Sequence, residues 1–219
     1  MNNFMSLVLR KYFKYTQWGL EEHDIPRESV LHFGTDCIAD IENLQDMFQE
    51  FVINEYPQSV TEYYELLGYK RVVVLEPGEQ DLDNYVLPED AVGGFDLVVN
   101  AAASGKIFDQ NKFFETMHNA CSENGYLINV LPYYGQPDQH LYNYQPNFVG
   151  RLSVSNEYEV SGAWMSQDDY TSMIMFLPNY EAQREKVFEE YNVKDQENGL
   201  YLGTIFKKIN NTNFRVRAE

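Results

Sequence analysis

The chain has 219 residues, 34 of them acidic and 16 basic, for a formal charge of -18 at neutral pH. That imbalance repels nucleic-acid backbones and anionic lipid surfaces, so bulk DNA or RNA and membranes are excluded as partners. Hydrophobic residues make up 44% and aromatic residues 15%, with 17 Tyr and 14 Phe, which excludes disorder and suffices for one domain with a substantial core.

Residues 1–28 read as an N-terminal helical segment. Phe4, Leu7, Val8, Tyr12, Tyr15 and Trp18 are spaced like one helix face, with Arg10, Lys11 and Lys14 read as a solvated face rather than an anion clamp. The apolar run near Met5 to Leu9 is too short for a secretory core, and no later segment approaches a membrane span. Cys37 and Cys121 have no Cys or His partners at zinc-like spacing, so neither a metal site nor a disulfide framework is expected, and a reducing cytoplasm is the expected compartment.

The main domain is expected over 29–210. It opens with Ser29-Val-Leu-His-Phe-Gly34, an apolar strand ending on glycine, followed by Thr35, Asp36 and a helical pattern from Ile41 to Tyr56. A strand that ends on Gly and feeds a helix opens nucleotide-binding crossovers, because Gly lets a ligand approach the backbone; an ordinary strand-to-helix turn has the same look. Ser59 to Leu67 predicts a short helix that Gly68 ends, and Lys70 to Glu76 is the most strand-like run. A carboxylate at the end of a second strand, here Glu76, suits ribose hydroxyls because it accepts from both at once. The acidic run Glu79 to Gly94 reads as a solvated loop, with Asp81, Asp83 or the backbone near Leu82 facing an adenine amino group if the loop folds back.

The centre of the chain is Phe95 to Pro132. FDLVVN and YLINVLP flank Phe113, Phe114, Met117, Ala120 and Cys121 at helical spacing, the βαβ signature of a parallel sheet. The loop Asn100 to Lys106 then lies beyond the carboxyl end of a strand, where open α/β sheets bind ligands. His118 falls inside the helix and reads as structural. His140, in the loop after the next strand, is the candidate general base. Tyr133, Tyr134, Tyr142 and Tyr144 crowd that loop, and aromatic walls with hydroxyl tips suit a sugar or flat acceptor as well as they suit packing. Asn143 and Lys106 offer polar contacts. Later runs predict strands around one amphipathic helix, Tyr180 to Tyr191, with Trp164, Met165, Met173 and Met175 in the core, and 211–219 reads as a loose tail.

Taken together, SVLHFG with the helix after it, YYELLGYKRVVVLEP, and Phe95 to Pro132 resemble a class I S-adenosylmethionine-dependent methyltransferase. QHLYNYQPNFVGRLSVSNEYEVSGAWM and GLYLGTIFKKINN extend the resemblance across most of 29–210, towards methyltransferase-like proteins of glycan or small-molecule modification. The resemblance implies a Rossmann-like α/β fold with a seven-stranded, mostly parallel sheet, helices on both faces and one antiparallel strand near the C-terminus. It makes S-adenosylmethionine the cofactor, with Gly34, Thr35 and Asp36 in the cofactor loop and Glu76 on the ribose. Asn100, Ala101 and Ala102 would then lie beside the methionine moiety, in a fourth-strand loop. His140 would act on a small-molecule or glycan acceptor bound by Tyr134, Tyr142, Asn143 and Tyr144. Two positions depart from the family's usual pattern: His32 stands where an acid ends the first strand, and Ala101-Ala-Ala-Ser104 where a Glu-His pair is common. A methyltransferase-like module without catalysis is the alternative. A nicotinamide oxidoreductase would call for a fuller glycine fingerprint.

Overall fold

The computed structural model describes residues 28–35, 57–134, 140–167, 173–175 and 200–216. The expected helices at 1–28 (all but Glu28), Ile41 to Tyr56 and Tyr180 to Tyr191, together with Asp36 and Cys37, lie outside the described residues. One sheet organises what is described. Strands β1 (Ser29–Phe33), β2 (Arg71–Leu75), β3 (Phe95–Ala101), β4 (Cys121–Tyr134), β5 (Glu159–Gln167), β6 (Met173–Met175) and β7 (Leu200–Lys207) join in the order β2-β1-β3-β4-β7-β5-β6. Six of these have five residues or more; β6 has three and completes the seven.

The first four strands run parallel, in register from Val30 opposite Leu97 and Val98 opposite Leu127. β7 is antiparallel to both β4 and β5, which is the reversed strand expected near the C-terminus. β6 is reversed as well, so the sheet has two reversed strands rather than one. The cause is the connection: only 168–172 separate β5 from β6, and a link that short can return only as an antiparallel neighbour. A second correction concerns numbering. Residues 76–94 hold turns and a 3-10 helix, Glu89–Ala91, but no strand, so Phe95–Ala101, expected as the fourth strand, is the third of the described strands. The two prolines and six acidic residues of EPGEQDLDNYVLPED disfavour a sheet ladder there.

Alternation along the strands divides the core between the two faces. Leu31, Phe33, Val98, Leu127, Leu131, Leu202 and Phe206 point to one face. There they meet helix α2 (Gln110–Ala120) through Phe113, Phe114 and Met117, and helix α3 (Pro146–Ser155) through Phe148, Val149 and Leu152. Val30, Leu97, Val99, Ile128, Val130 and Ile205 point to the other, against helix α1 (Val60–Leu66) through Val60, Tyr63 and Tyr64. Each fully buried large side chain contributes about 1.5–3 kcal/mol, so both layers are held mainly by these contacts. Caps fix the helix starts: Ser59 Oγ accepts from Glu62 N at 3.1 Å, and Asp109 Oδ1 from Lys112 N at 3.0 Å.

The segment read as a loose tail is tied down at several points. His118 Nε2 meets Thr212 O at 2.7 Å, Arg215 N donates to Asn156 Oδ1 at 2.8 Å, and the Phe214 ring lies 5.7 Å from that of His118. No helix among the described residues is long and apolar enough to cross a membrane.

Candidate functional site

β1 has β2 on one side and β3 on the other, so the strand order reverses between β1 and β3, and their carboxyl ends open the crevice where such sheets take ligands. Phe33 pairs with Asn100 at that edge. Gly34 follows, and its N–H donates to Leu75 O at 3.0 Å, which places Glu76 beside it at the end of β2. Space is tight here. A Cβ on Gly34 would stand 2.8 Å from Ala101 Cβ and 2.7 Å from His32 Nε2, so glycine is required by close approach.

Beneath Gly34 lies His32, buried at 0% exposure. Its Nδ1 meets the Tyr64 hydroxyl at 3.1 Å, and its Nε2 has no hydrogen-bond partner among the described residues. Burial holds the imidazole down at about 3, so it is neutral at physiological pH, and burial raises the Tyr64 phenol well above its usual range.

The loop after β3 runs from Ala101 to Lys106, its end forming a 3-10 helix, Ala103–Lys106. Ala102 is left-handed at φ 61°, a conformation costing about 1–2 kcal/mol for alanine, and its N–H donates to Val130 O at 3.0 Å. Asn100 holds the loop. Its Oδ1 accepts from Ser104 N at 3.1 Å, and its Nδ2 donates to Ser104 Oγ at 2.9 Å and Asn129 Oδ1 at 3.4 Å. Asn129 Nδ2 in turn donates to Thr204 Oγ1 at 3.3 Å, so one buried polar row crosses β3, β4 and β7. The Asn100 side chain is therefore committed to the scaffold; what it offers the crevice is the position of Ala101 and Ala102.

His140 sits at the far end of the same loop. A Cβ on Gly105 would come within 2.6 Å of His140 Nδ1, and Leu141 N donates to Gly105 O at 2.6 Å, so the ring rests against the Gly105 backbone. Burial, with the Lys106 charge second, lowers its pKa to about 4. It is a neutral imidazole at pH 7, able to accept a proton but weakly basic.

The four acceptor-side candidates divide. Tyr134 and Tyr142 are exposed at 45% and 38%, and Tyr142 hydroxyl donates to Phe108 O at 3.3 Å. Asn143 is exposed. Tyr144 is a core residue instead. It is buried against Phe114 and Phe148, its hydroxyl donates to Gln110 Oε1, and Gln110 Nε2 donates to Ser104 O at 2.7 Å. Phe148, four residues on in α3, is the second aromatic of that cluster, with its ring 5.1 Å from that of Tyr144.

The acidic segment folds back onto α2. Asp83 Oδ1 accepts from Asp109 N at 2.8 Å, Lys112 Nζ donates to Asp83 O at 2.9 Å, and Leu82 is buried. Asp81 is held below the usual carboxylate range, chiefly by the Asn84 amide that donates to it at 2.7 Å. Both carboxylates thus serve the loop's own structure. Glu76 is half-buried at the strand end, with its N–H donating to Gln80 Oε1 at 2.6 Å in the turn that follows. Thr35 is exposed.

No protein-family model matches the sequence and no curated protein matches it. Solved structures match the fold. A protein of Bacillus halodurans described as a candidate methyltransferase is similar at a TM-score of 0.50 and 10% identity, over 90% of this chain and 98% of that one. An S-adenosylmethionine dependent methyltransferase from Mesorhizobium loti is similar at 0.42 and 11%, over 90% and 97%. The 1,6-didemethyltoxoflavin-N1-methyltransferase of Burkholderia thailandensis, solved with S-adenosylhomocysteine, is similar at 0.44 and 10%, over 96% and 91%. Parallel β1 to β4, helices on both faces, the reversed β7 and the Bacillus halodurans match together show that this chain has the class I methyltransferase fold.

Proposed function

We propose that the protein transfers a methyl group from S-adenosylmethionine to a small-molecule or sugar acceptor in the crevice at the ends of β1 and β3. The observation that carries this reading is the convergence of Gly34, Glu76 and the Ala101–Ala102 turn at the point where the strand order reverses. A nucleoside with an amino-acid tail fits that donor set. Glu76 offers a carboxylate to two ribose hydroxyls at the end of β2, beside the Gly34 turn. Bound there, the cofactor supplies an electrophilic sulfonium methyl, so the protein's task is alignment and removal of a proton. His140 takes the acceptor's proton at Nε2, the nitrogen turned away from Gly105. Tyr134 and Tyr142, exposed beside it, form the acceptor's aromatic wall with Asn143. A cytoplasmic setting suits the free, buried thiol of Cys121.

Calorimetric titration with S-adenosylhomocysteine tests the cofactor half. Saturable binding, weakened by Glu76→Ala, is expected; no heat at millimolar ligand would sink the reading. A second reading, a binding module without catalysis, is favoured by one observation: Ala101 to Ala103 carry no proton-transfer group, and His140 is held near 4. Transfer of labelled methyl to any of a panel of sugars and phenols, lost in His140→Ala, separates the two.

A further inference from the structure

The loops that follow β3 and β4 are laced together beyond the strand ends. Leu141 N donates to Gly105 O at 2.6 Å and the Tyr142 hydroxyl to Phe108 O at 3.3 Å, so 105–108 and 140–142 make one ledge that carries His140. The ledge is apolar and open. Phe108 is 71% exposed and Leu141 53%, with Tyr142 beside them and Tyr134 at the end of β4 exposed as well. Large apolar side chains gathered in the open at a crevice mark a ligand surface rather than a solvated one.

The polar groups around the ledge are already engaged. Gln110 Oε1 accepts from the Tyr144 hydroxyl, Gln110 Nε2 donates to Ser104 O and Ile107 O, and the Ser104 hydroxyl accepts from Asn100. The carboxylates on this edge serve the start of α2: Asp83 Oδ1 accepts from Asp109 N and Asp109 Oδ1 from Lys112 N. A sugar, which needs a partner for each hydroxyl it brings out of water, would find few. Lys106 is different. It is exposed, follows the Gly105 against which the His140 ring rests, and makes no ion pair among the described residues, in a chain of net charge -18.

We propose that the methyl acceptor is an acidic aromatic molecule, a phenol carrying a carboxylate, whose ring lies on Phe108, Leu141 and Tyr142 and whose carboxylate pairs with Lys106. The inference rests on the methyl-transfer reading above and narrows its acceptor. Proton transfer favours the same class. The His140 imidazole, held at about 4 chiefly by burial, is a weak base, and a phenol, near 10, gives up its proton far more readily than a sugar hydroxyl. The phenolic proton passes to His140 Nε2, the oxygen's electron pair forms the new O–CH3 bond, and the S–CH3 bond breaks with its pair kept by sulfur. An aryl methyl ether and a neutral thioether result.

The test is calorimetric titration of the full chain, saturated with S-adenosylhomocysteine, with p-coumarate, its methyl ester and methyl glucoside. The wild-type protein is expected to bind the acid, to bind the ester about 5-fold more weakly, the scale of an exposed ion pair, and to ignore the glucoside. Lys106→Ala should weaken the acid to the level of the ester and leave the ester unchanged, and Lys106→Arg should recover most of the loss. Phe108→Ala should weaken acid and ester alike by about 10-fold. Unchanged S-adenosylhomocysteine affinity shows that each variant is folded, and the wild-type comparison needs no variant at all. Preference for the glucoside, equal affinity for acid and ester, or no phenolic acid bound at millimolar concentration overturns the proposal and leaves the cofactor reading standing. Failure of the wild-type protein to bind S-adenosylhomocysteine overturns both.

Discussion

His32 and His118 are both buried and both meet a tyrosine hydroxyl through Nδ1, at 3.1 and 2.6 Å, yet only His118 has its second nitrogen bonded. His118 ends α2 inside a closed set of contacts. Its Nε2 reaches Thr212 O, its carbonyl accepts from Lys208 Nζ at 2.8 Å, and the same amine donates to Cys121 O at 2.8 Å. A cation over the last carbonyls of a helix also opposes the negative end of its dipole. His32 lies at the end of β1 with one nitrogen unpaired among the described residues. The difference separates a histidine tied into the fold through both nitrogens from one tied through a single nitrogen, and burial alone does not distinguish them.

The largest effect should come from the closed cluster. Lys208→Ala strands two buried carbonyls and is expected to cost about 3 kcal/mol, read as a lower urea midpoint with the slope unchanged. His118→Phe removes two bonds and leaves the Tyr158 hydroxyl and Thr212 O unpaired, at about 2 kcal/mol by the same measurement. Acid then probes both sites together. The folded values, about 3 for His32 and about 4 for His118, lie below the unfolded value, so the unfolded chain binds the protons. Stability is complete above about pH 6.5 and falls as pH drops towards the folded values, with His32 alone contributing a loss of about 2 kcal/mol between pH 7 and 5. Thermal melts at those two pH values check the sign, and a rise in stability on acidification would refute it.

His32→Phe should cost about 1 kcal/mol or less at pH 7, because the lost Tyr64 bond is offset by removal of an unpaired N–H. It should also flatten the acid dependence. A loss as large as that of His118→Phe would erase the distinction drawn between the two. The smallest change concerns His140, which is half-buried and lies between these extremes. In Gly105→Ala the new methyl displaces the ring, and its pKa should rise from about 4 towards the solvent value, seen by following its ring protons through a pH titration.

Periodicity made most of the described elements legible. Alternating and clustered apolar residues marked β1, β2, β3 and β4, and the i, i+3, i+4 spacing of Phe113, Phe114, Met117 and Ala120 marked α2. Ser59 and Gly68 bracketed α1 as its cap and its stop. The reversal of β6 was implicit in a five-residue connection, although its residues carry no sign of direction. Partnership across long separations was not legible. Tyr144 looks like an acceptor wall until Gln110, 34 residues earlier, takes its hydroxyl, and Asn100 looks free until Ser104 and Asn129 occupy its amide.

By itself, the sequence determined the α/β class, the strands and helices that build it, and the loops that lie beyond strand ends, because these follow from local burial patterns and turn chemistry. Only the tertiary structure decided the strand order, and with it the place where β1 and β3 part. It also decided which polar groups at that place are already bonded. His32 shows why: its neutrality comes from total burial, its tautomer from a tyrosine 32 residues away, and its unpaired nitrogen from the absence of an acceptor among the described residues around it. Each is a property of neighbours in space, and no residue type or spacing encodes it.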